Sequence, residues 1–454
     1  MKEVTEMFTG RRAARMGGGK LAAVLLLVAA VGVGLAACRG FFGQAPIALI
    51  VVNAGGDDEA PVTVAFDISG SNDPDGTIAA YDLDFGDGSA HVTGTDVTDA
   101  LDHEYKTAGT FTLLLTVTDN DGRIGMVNAT VTIGPVMITF ASDRVSDFDI
   151  YRMQDDGSDQ ATVYNSAEDE LFPDLVRTTR DKVAYAAEDG TRWNIWRMTI
   201  TGTSRTQLTT QTNSNQIQPS WSADASTIVY ASNGTVQTPS TMTWELFTIS
   251  AAGGTPTQLT TQSPSWAIAP SYSPVNDDIL FVSNRTATGG SSIWLWDDSL
   301  GAAIELRDRD GRDGDASPAL AGLATALDLP DTPDSAGISR PVWSPDGALI
   351  AFSSERTAGS AIDIYIMDAD GFDPTDGAGD PITLEEYVDF LGSANAGITT
   401  DDDEFCPYWL EDNSGIVFAK ESAGSIDLYK VAFDDGSVTK LTTTGNNVTP
   451  TRVR

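Results

Sequence analysis

The chain has 454 residues, enough for two or three domains, and its 65 acidic and 27 basic residues give a formal net charge of -38. Because so negative a chain repels phosphate groups, neither nucleic acid nor an anionic membrane surface is expected as a partner of the folded protein. The only two histidines are His91 and His103, so the long remainder of the chain is not expected to hold a His-dependent triad or a His-ligated metal.

Residues 1–37 have the pattern of an export signal. Lys20 precedes an uncharged apolar run, residues 21–33, which is too short to favour a membrane-spanning helix. The sequence Leu35-Ala36-Ala37-Cys38 follows and resembles the lipobox of bacterial lipoproteins. This resemblance implies cleavage before Cys38, lipidation of that cysteine and a short tether over residues 38–44. Because acyl chains can anchor a folded domain, we expect a lipid-anchored protein of the bacterial cell envelope.

Two details of this segment bear on processing and sorting. Both Met1 and Met16 are compatible with the signal as translation starts. Arg39 follows the cysteine, where an Asp retains some bacterial lipoproteins in the inner membrane. The resemblance therefore favours the outer membrane, on its periplasmic or its surface side.

Residues 45–134 are predicted to form a separate β-sandwich. Apolar and polar residues alternate between turns rich in Gly and Asp, as in residues 81–88 and 115–122. These segments resemble the PKD domain, an immunoglobulin-like module of extracellular bacterial proteins, although Leu83 stands where that family usually has Trp. Some members bind Ca²⁺ in the turns, so a structural Ca²⁺ is the one cofactor hypothesis. Its ligands would be Asp73, Asp75, Asp119 and Asp121.

Residues 135–454 repeat a pattern of four short strands. In the clearest copy, Arg340 to Phe352, a Ser-Pro-Asp-Gly turn joins two apolar strands. The first-strand proline recurs at Pro173, Pro219, Pro270, Pro407 and Pro450. The second-strand aromatic residue recurs at Phe140, Tyr185, Tyr230, Phe281, Phe352 and Phe418. The third strand recurs from Asp149, Asn194, Glu245, Ser292, Asp363 and Asp427, and a Leu-Thr fourth strand at Leu208, Leu259 and Leu441. Repeats of this length and content predict propeller blades.

The two ends of the repeat predict how the propeller closes. The first copy begins with its second strand at Ile138, and the last ends with a spare first strand, residues 449–453. Placing that strand in the opening blade gives six blades and leaves no unpaired edge. The motifs resemble the TolB-type propeller repeat, and the overall prediction is an all-β chain: an immunoglobulin-like sandwich followed by a six-bladed propeller.

Long insertions suggest where this propeller binds a partner. The connections at residues 309–339 and 387–405 are expected on one face. The candidate binding residues there are Tyr387, Phe390, Asp401, Asp402, Asp403 and Glu404.

The predicted function is non-catalytic binding of an envelope protein or polysaccharide. A glycan-active enzyme that uses a carboxylate pair, and a structural scaffold, stay open as alternatives. The oligomeric state is left open.

Overall fold

The computed structural model describes residues 43–53, 60, 62–134, 136–176, 181–190, 192–234, 244–261, 265–284, 292–306, 340–354, 361–369, 371, 373–375, 380–392, 402–410 and 413–453. Contacts within the chain divide it after Gly134 into two compact units. The described part contains 31 strands and one short helix, so the all-β prediction is confirmed. None of the helical structure in these ranges is long and apolar enough to cross a membrane.

The first unit is a sandwich of two antiparallel sheets. One sheet has the order β1-β2-β5 and the other β4-β3-β6-β7. Their strands are β1 (Val51–Asn53), β2 (Val62–Asp67), β3 (Ile78–Asp84), β4 (Val92–Gly94), β5 (Leu101–Tyr105), β6 (Gly109–Asp119) and β7 (Ile124–Ile133). Alternate residues of β6 (Leu113, Leu115 and Val117) are fully buried, as a strand with one face on the core requires. Leu83 is also fully buried, so leucine fills the core position where tryptophan is usual.

His103 has a structural role in this sandwich. Its ring stacks on Phe85 at 4.0 Å between centroids, and its Nε2 lies 2.7 Å from Asp87 Oδ2. Although burial opposes it, hydrogen bonding from Ser89 and His103 lowers the pKa of Asp87 to about 2. The neighbouring Tyr105 hydroxyl donates to the Phe85 carbonyl at 3.0 Å. These contacts tie β5 to the end of β3.

The described part of the second unit contains six four-stranded antiparallel sheets, which are the six predicted blades. Blade one has β31 (Asn447–Val453), β8 (Met137–Ser142), β9 (Asp149–Gln154) and β10 (Ala161–Tyr164). Blade two has β11 (Glu170–Leu175), β12 (Lys182–Glu188), β13 (Trp193–Thr199) and β14 (Thr206–Gln207). Blade three has β15 (Gln216–Trp221), β16 (Thr227–Ser232), β17 (Glu245–Ser250) and β18 (Thr257–Gln258).

The other three blades follow the same order. Blade four has β19 (Ala267–Tyr272), β20 (Ile279–Ser283), β21 (Ser292–Asp297) and β22 (Ala302–Glu305). Blade five has β23 (Val342–Trp343), β24 (Leu349–Ser354), β25 (Asp363–Asp368) and β26 (Ile382–Thr383), and the helix α1 (Leu384–Phe390) follows it. Blade six has β27 (Glu404–Trp409), β28 (Gly415–Ser422), β29 (Ser425–Ala432) and β30 (Val438–Lys440).

The first blade is assembled from both ends of the unit. β31 pairs antiparallel with β8, from Asn447 opposite Ser142 to Val453 opposite Met137. The buried Thr139 hydroxyl also donates to the Thr451 carbonyl. β31 is therefore the innermost strand of blade one, and it pairs with the edge of β8 that would otherwise be open.

The aromatic residues of the repeat pair with one another in every blade. Each second-strand aromatic lies directly opposite a third-strand aromatic, as Phe140 lies opposite Tyr151 and Tyr185 opposite Trp196. Ring centroids in five of the pairs are 5.8–6.5 Å apart. Cross-strand aromatic pairs stabilise a sheet by roughly 0.2–1 kcal/mol each, so the repeated motif supports each blade separately.

Candidate functional site

Residues of the innermost strands line a small cavity. Five innermost strands have a residue with positive φ directly before proline: Phe172, Gln218, Ala269, Cys406 and Thr449. At each of them a β-bulge interrupts the pairing with the second strand. Four of these residues, together with Arg340, line a cavity of only about 30 Å³. A space of that size holds about two water molecules.

Asp174 joins three innermost strands and the segment that leads into a fourth. Its carboxylate accepts the backbone N–H of Trp221 at 2.8 Å and the Arg340 guanidinium at 2.9 Å. The Thr451 hydroxyl lies 3.4 Å from the same carboxylate. Arg340 also donates to the Pro219 carbonyl at 3.1 Å. Because the carboxylate of Asp174 is mostly buried, this network is a structural tie between blades.

In three blades, a polar residue at or near the start of the third strand is held by a threonine that lies two residues after the fourth strand. The Thr209, Thr260 and Thr442 hydroxyls donate to the side chains of Asn194, Glu245 and Asp427. Each hydroxyl also accepts a hydrogen bond, at 2.8 Å, from the backbone N–H of the next residue along the third strand. These donors are Ile195, Leu246 and Leu428. The threonine of the Leu-Thr motif therefore links the third strand to the segment that follows the fourth strand.

Two carboxyl pairs lie where neighbouring blades pack. In the first, Asp149 begins β9 and Glu170 begins β11. Ser166 bridges them, because its backbone N–H donates to Asp149 at 3.2 Å and its hydroxyl to Glu170 at 2.6 Å. Both side chains are fully buried. Burial raises the pKa of Glu170 to about 8 and also raises that of Asp149.

The second pair has the same place in the repeat. Asp363 begins β25 and Glu404 begins β27. Glu404 is 3% exposed, and Lys420 Nζ lies 3.6 Å from its carboxylate and 3.6 Å from Asp402. Burial raises the pKa of Glu404 to about 8 despite this lysine, and burial also raises the pKa of Asp363.

The described members of the predicted binding set differ in burial. Tyr387 is half-buried and packs edge-on against Trp409 and Phe433, with ring centroids 6.4 and 5.5 Å away. The expectation of a loop beginning at residue 387 was wrong, since Tyr387 lies in α1, which begins with a capping box between Thr383 and Glu386. Phe390, in contrast, is 58% exposed at the end of this helix.

The acidic run that follows is divided between several roles. Glu404 lies inside β27 and is buried, as described above. Asp403 accepts the backbone N–H of Ile362 at 2.9 Å, and Asp402 pairs with Lys420. Asp401, the 309–339 insertion and Cys38 lie outside the described residues. The other cysteine, Cys406, is buried, and burial raises the pKa of its thiol to about 12.

The four proposed calcium ligands are partly engaged by other groups. Asp119 accepts the backbone N–H groups of Asp121 and Arg123, and Arg123 Nη1 lies 2.6 Å from Asp121 Oδ2. Asp73 and Asp75 accept backbone N–H groups from Asp75 and Gln44. Within the ranges that the structure describes, no group of three or more His, Cys, Asp or Glu side chains is arranged to hold a metal ion.

Comparison with known proteins bears on the two units separately. Residues 44–133 match the family model of the PKD domain. The PKD1 domain of the Vibrio cholerae metalloprotease PrtV is 31% identical; the match covers 20% of this chain and 98% of that domain, with a TM-score of 0.17. No curated protein sequence gives a significant match to the chain.

Solved structures share the fold of the second unit. TolB from Acinetobacter baumannii matches with a TM-score of 0.52 and 16% identity over 77% of this chain and 81% of that chain. Kuenenia stuttgartiensis hydrazine synthase matches with a TM-score of 0.50 and 14% identity over 70% of this chain and 47% of that chain. Residues 44–133 are thus a PKD domain, and the unit that follows has the fold of a TolB-like β-propeller.

Proposed function

We propose that this protein is a non-catalytic, lipid-anchored binding protein of the bacterial cell envelope. In this proposal, the propeller takes a protein or polysaccharide partner on the side that carries the insertions 309–339 and 387–405. The observation that carries the proposal is the end of α1, where Phe390 and the following Leu391 are 58% and 44% exposed. Tyr387 holds the same helix against blade six, so the two apolar side chains are presented from a fixed support.

The chemistry around this pair resembles that of a protein interface. Glu385, Glu386 and Asp389 lie on the same short helix, so the helix carries acidic side chains as well as the apolar pair. Interfaces between proteins commonly combine an apolar centre with a polar rim. The net charge of -38 favours a partner with a basic surface.

The alternative of a carboxylate-dependent glycan enzyme rests on the raised pKa values of Glu170 and Glu404, because a general acid must hold its proton near neutral pH. The poor solvent access of these two carboxyls favours binding over catalysis. Both glutamates are nearly inaccessible to solvent, and the cavity lined by the innermost strands has about 30 Å³. A glycan could not contact either carboxyl at its present burial.

A photo-crosslinking experiment tests the proposed binding side. We expect a benzoylphenylalanine at position 390 to give a discrete crosslinked product in intact cells, because the exposed end of α1 contacts the partner. The matched control is position 300, where Leu300 is 66% exposed on the turn between β21 and β22. A polysaccharide partner is tested by co-sedimentation with purified peptidoglycan sacculi, which compares the full chain with Phe390→Ser. Equal products from both positions, or none together with no binding to sacculi, would contradict the proposal.

Lipid anchoring is tested separately at Cys38. We expect radiolabelled palmitate to enter the wild-type chain and not Cys38→Ser, because acylation of a lipobox requires that thiol. Cys406→Ser is the matched control, since the only other cysteine is buried in the propeller. Label that persists in Cys38→Ser, or that disappears in Cys406→Ser, would refute the anchor.

A further inference from the structure

The β-sandwich of the first unit has a long outer strand that is open to pairing. Within the described residues, β7 lies at the edge of its sheet and pairs with β6 alone. Its ten residues, Ile124–Ile133, contain no charged residue and no proline. All of them pair with β6 without a shift of register. The edge is therefore long, regular and uncharged.

The other outer strands that the structure describes carry the usual protection against strand addition, which is a short length or charged side chains. The outermost strands of the blades have only two to four residues each: β10, β14, β18, β22, β26 and β30. In the first unit, β1 and β4 have three residues each, and β5 carries the exposed Asp102 and Glu104. β7 has neither form of protection.

The register of the ladder identifies the backbone groups that β7 leaves open. The Asp119 N–H donates to the Arg123 carbonyl at 2.9 Å, and this pair continues the register of β6 and β7. Hydrogen-bonded and non-bonded pairs alternate along an antiparallel ladder, so Gly125 and every second residue after it bond to β6. Met126 and Asn128 therefore direct their N–H and C=O groups away from β6. Within the described residues, these groups have no hydrogen-bond partner.

Exposed apolar side chains lie beside the start of this edge. Ile124 and Met126 are 53% and 62% exposed on the face of β7 that is turned away from the core. Ile47, which is 54% exposed, follows Pro46, whose carbonyl lies where a side chain on Gly125 would project. Side chains on neighbouring strands cover one another in a sheet. A strand added next to β7 would therefore bury apolar surface as well as backbone groups.

The same end of β7 is acidic. The turn 119–123 is hydrogen-bonded to Thr77, which directly follows the turn 73–76. The two turns together contain four aspartates, and their one basic residue is Arg123. Residues 44–133 contain 15 acidic and two basic residues. A partner strand with a basic residue beside these turns is complementary in charge, whereas a second copy of the same acidic unit would be repelled.

We propose that the edge of β7 binds an extended segment of a partner protein, which adds a fifth strand to this four-stranded sheet. The segment runs antiparallel to β7, because antiparallel strands pair more stably. It pairs with the open backbone groups of Met126 and Asn128 and covers Ile124 with an apolar side chain. Its C-terminal end carries a lysine or an arginine that faces the aspartates of the turn 119–123. This site lies in the first unit, so it does not depend on the binding side proposed for the propeller.

Methyl NMR of the full chain with ¹³C-labelled methionine methyl groups tests the proposal. The chain has nine methionines, and the resonance that Met126→Leu removes is that of Met126. The probe is the capped peptide Thr-Val-Thr-Val-Thr-Lys. One analogue has every backbone nitrogen methylated, so it cannot donate to an edge, and another has glutamate in place of lysine. At about 150 mM salt, where screening acts over about 8 Å, we expect the lysine peptide to shift the Met126 resonance in a saturable manner. The methylated peptide should have no effect, and the glutamate peptide should bind about fivefold more weakly.

Two pairs of variants locate the binding. Asn128→Pro removes an N–H group that points away from β6, and proline at such a position is compatible with an edge strand. We expect it to weaken binding of the lysine peptide about fivefold or more, while Asn128→Ala, which keeps the N–H group, should bind like the wild type. The second pair leaves the backbone unchanged. Ile124→Lys places a like charge beside the peptide lysine and should bind it about fivefold more weakly than Ile124→Gln does.

Several outcomes would overturn the proposal. Equal shifts from the lysine peptide and its methylated analogue, or equal binding by Asn128→Pro and Asn128→Ala, would show that backbone pairing is not involved. The absence of a saturable shift with the lysine peptide would show that the edge does not accept a strand. Sedimentation velocity tests the other occupant, because a dimer of the full chain that Asn128→Pro dissociates would assign the edge to a second copy.

Discussion

Asp174→Ala is expected to lower the free energy of unfolding of the propeller by about 3–5 kcal/mol, the usual cost of removing one partner from a buried ion pair. The variant leaves the Arg340 guanidinium, which is largely buried, without its carboxylate. It also removes the acceptor of the Trp221 N–H. Both groups lie on other blades, so the loss acts on the contacts that hold the blades together.

Tryptophan fluorescence during urea denaturation measures this effect on the propeller alone, because all nine tryptophans follow Gly134. Asp298→Ala is the control, since Asp298 is exposed on a turn of blade four. A change at such a site usually stays within about 0.5 kcal/mol. A loss below about 1 kcal/mol in Asp174→Ala would mean that the network is not a stabilising tie.

The fold was predictable because its information is local. Each blade needs a proline, two facing aromatics and a turn at short offsets, and these offsets recur six times in the chain. The Asp174–Arg340 contact spans 166 positions, and no repeated motif contains it. The sequence therefore predicted the blades and not the tie between them.

The candidate site was predicted less well, although two of its signals were present in the sequence. Thr383 and Glu386 form a capping box, with Leu384 and Val388 one turn apart, and this pattern indicates a helix. Because it was not recognised, Tyr387 was assigned to a binding loop. Glu170 and Glu404 each stand three residues before the proline of an innermost strand, but burial depends on how the blades pack.

Those two glutamates give the second large prediction. The pKa of each is about 8 in the folded chain, compared with an ordinary value of 4.5. The folded state therefore binds more protons than the unfolded state between these two values. The stability that each protonated carboxyl contributes is complete below pH 4.5 and is lost as the pH rises towards 8.

Replacing both with glutamine keeps them neutral at every pH. We expect the Glu170→Gln/Glu404→Gln double variant to unfold like the wild type near pH 4. Near pH 8.5 it should be more stable by roughly 2 kcal/mol per site. The full shift would correspond to about 5 kcal/mol per site, but relaxation around the ionised group reduces it, and Glu404 also loses the charge that Lys420 faces.

The decisive measurement is the difference in unfolding free energy between variant and wild type, taken by tryptophan fluorescence from pH 4 to pH 9. Glu168→Gln is the control, because Glu168 is exposed two residues before Glu170; its difference should not vary with pH. A difference for the double variant that stays flat would show that the two carboxyls ionise normally inside the fold. A difference that rises with pH would show that ionisation of the buried carboxyls destabilises the propeller at alkaline pH. The pKa values of Asp149 and Asp363 are raised as well, so their ionisation would act in the same direction.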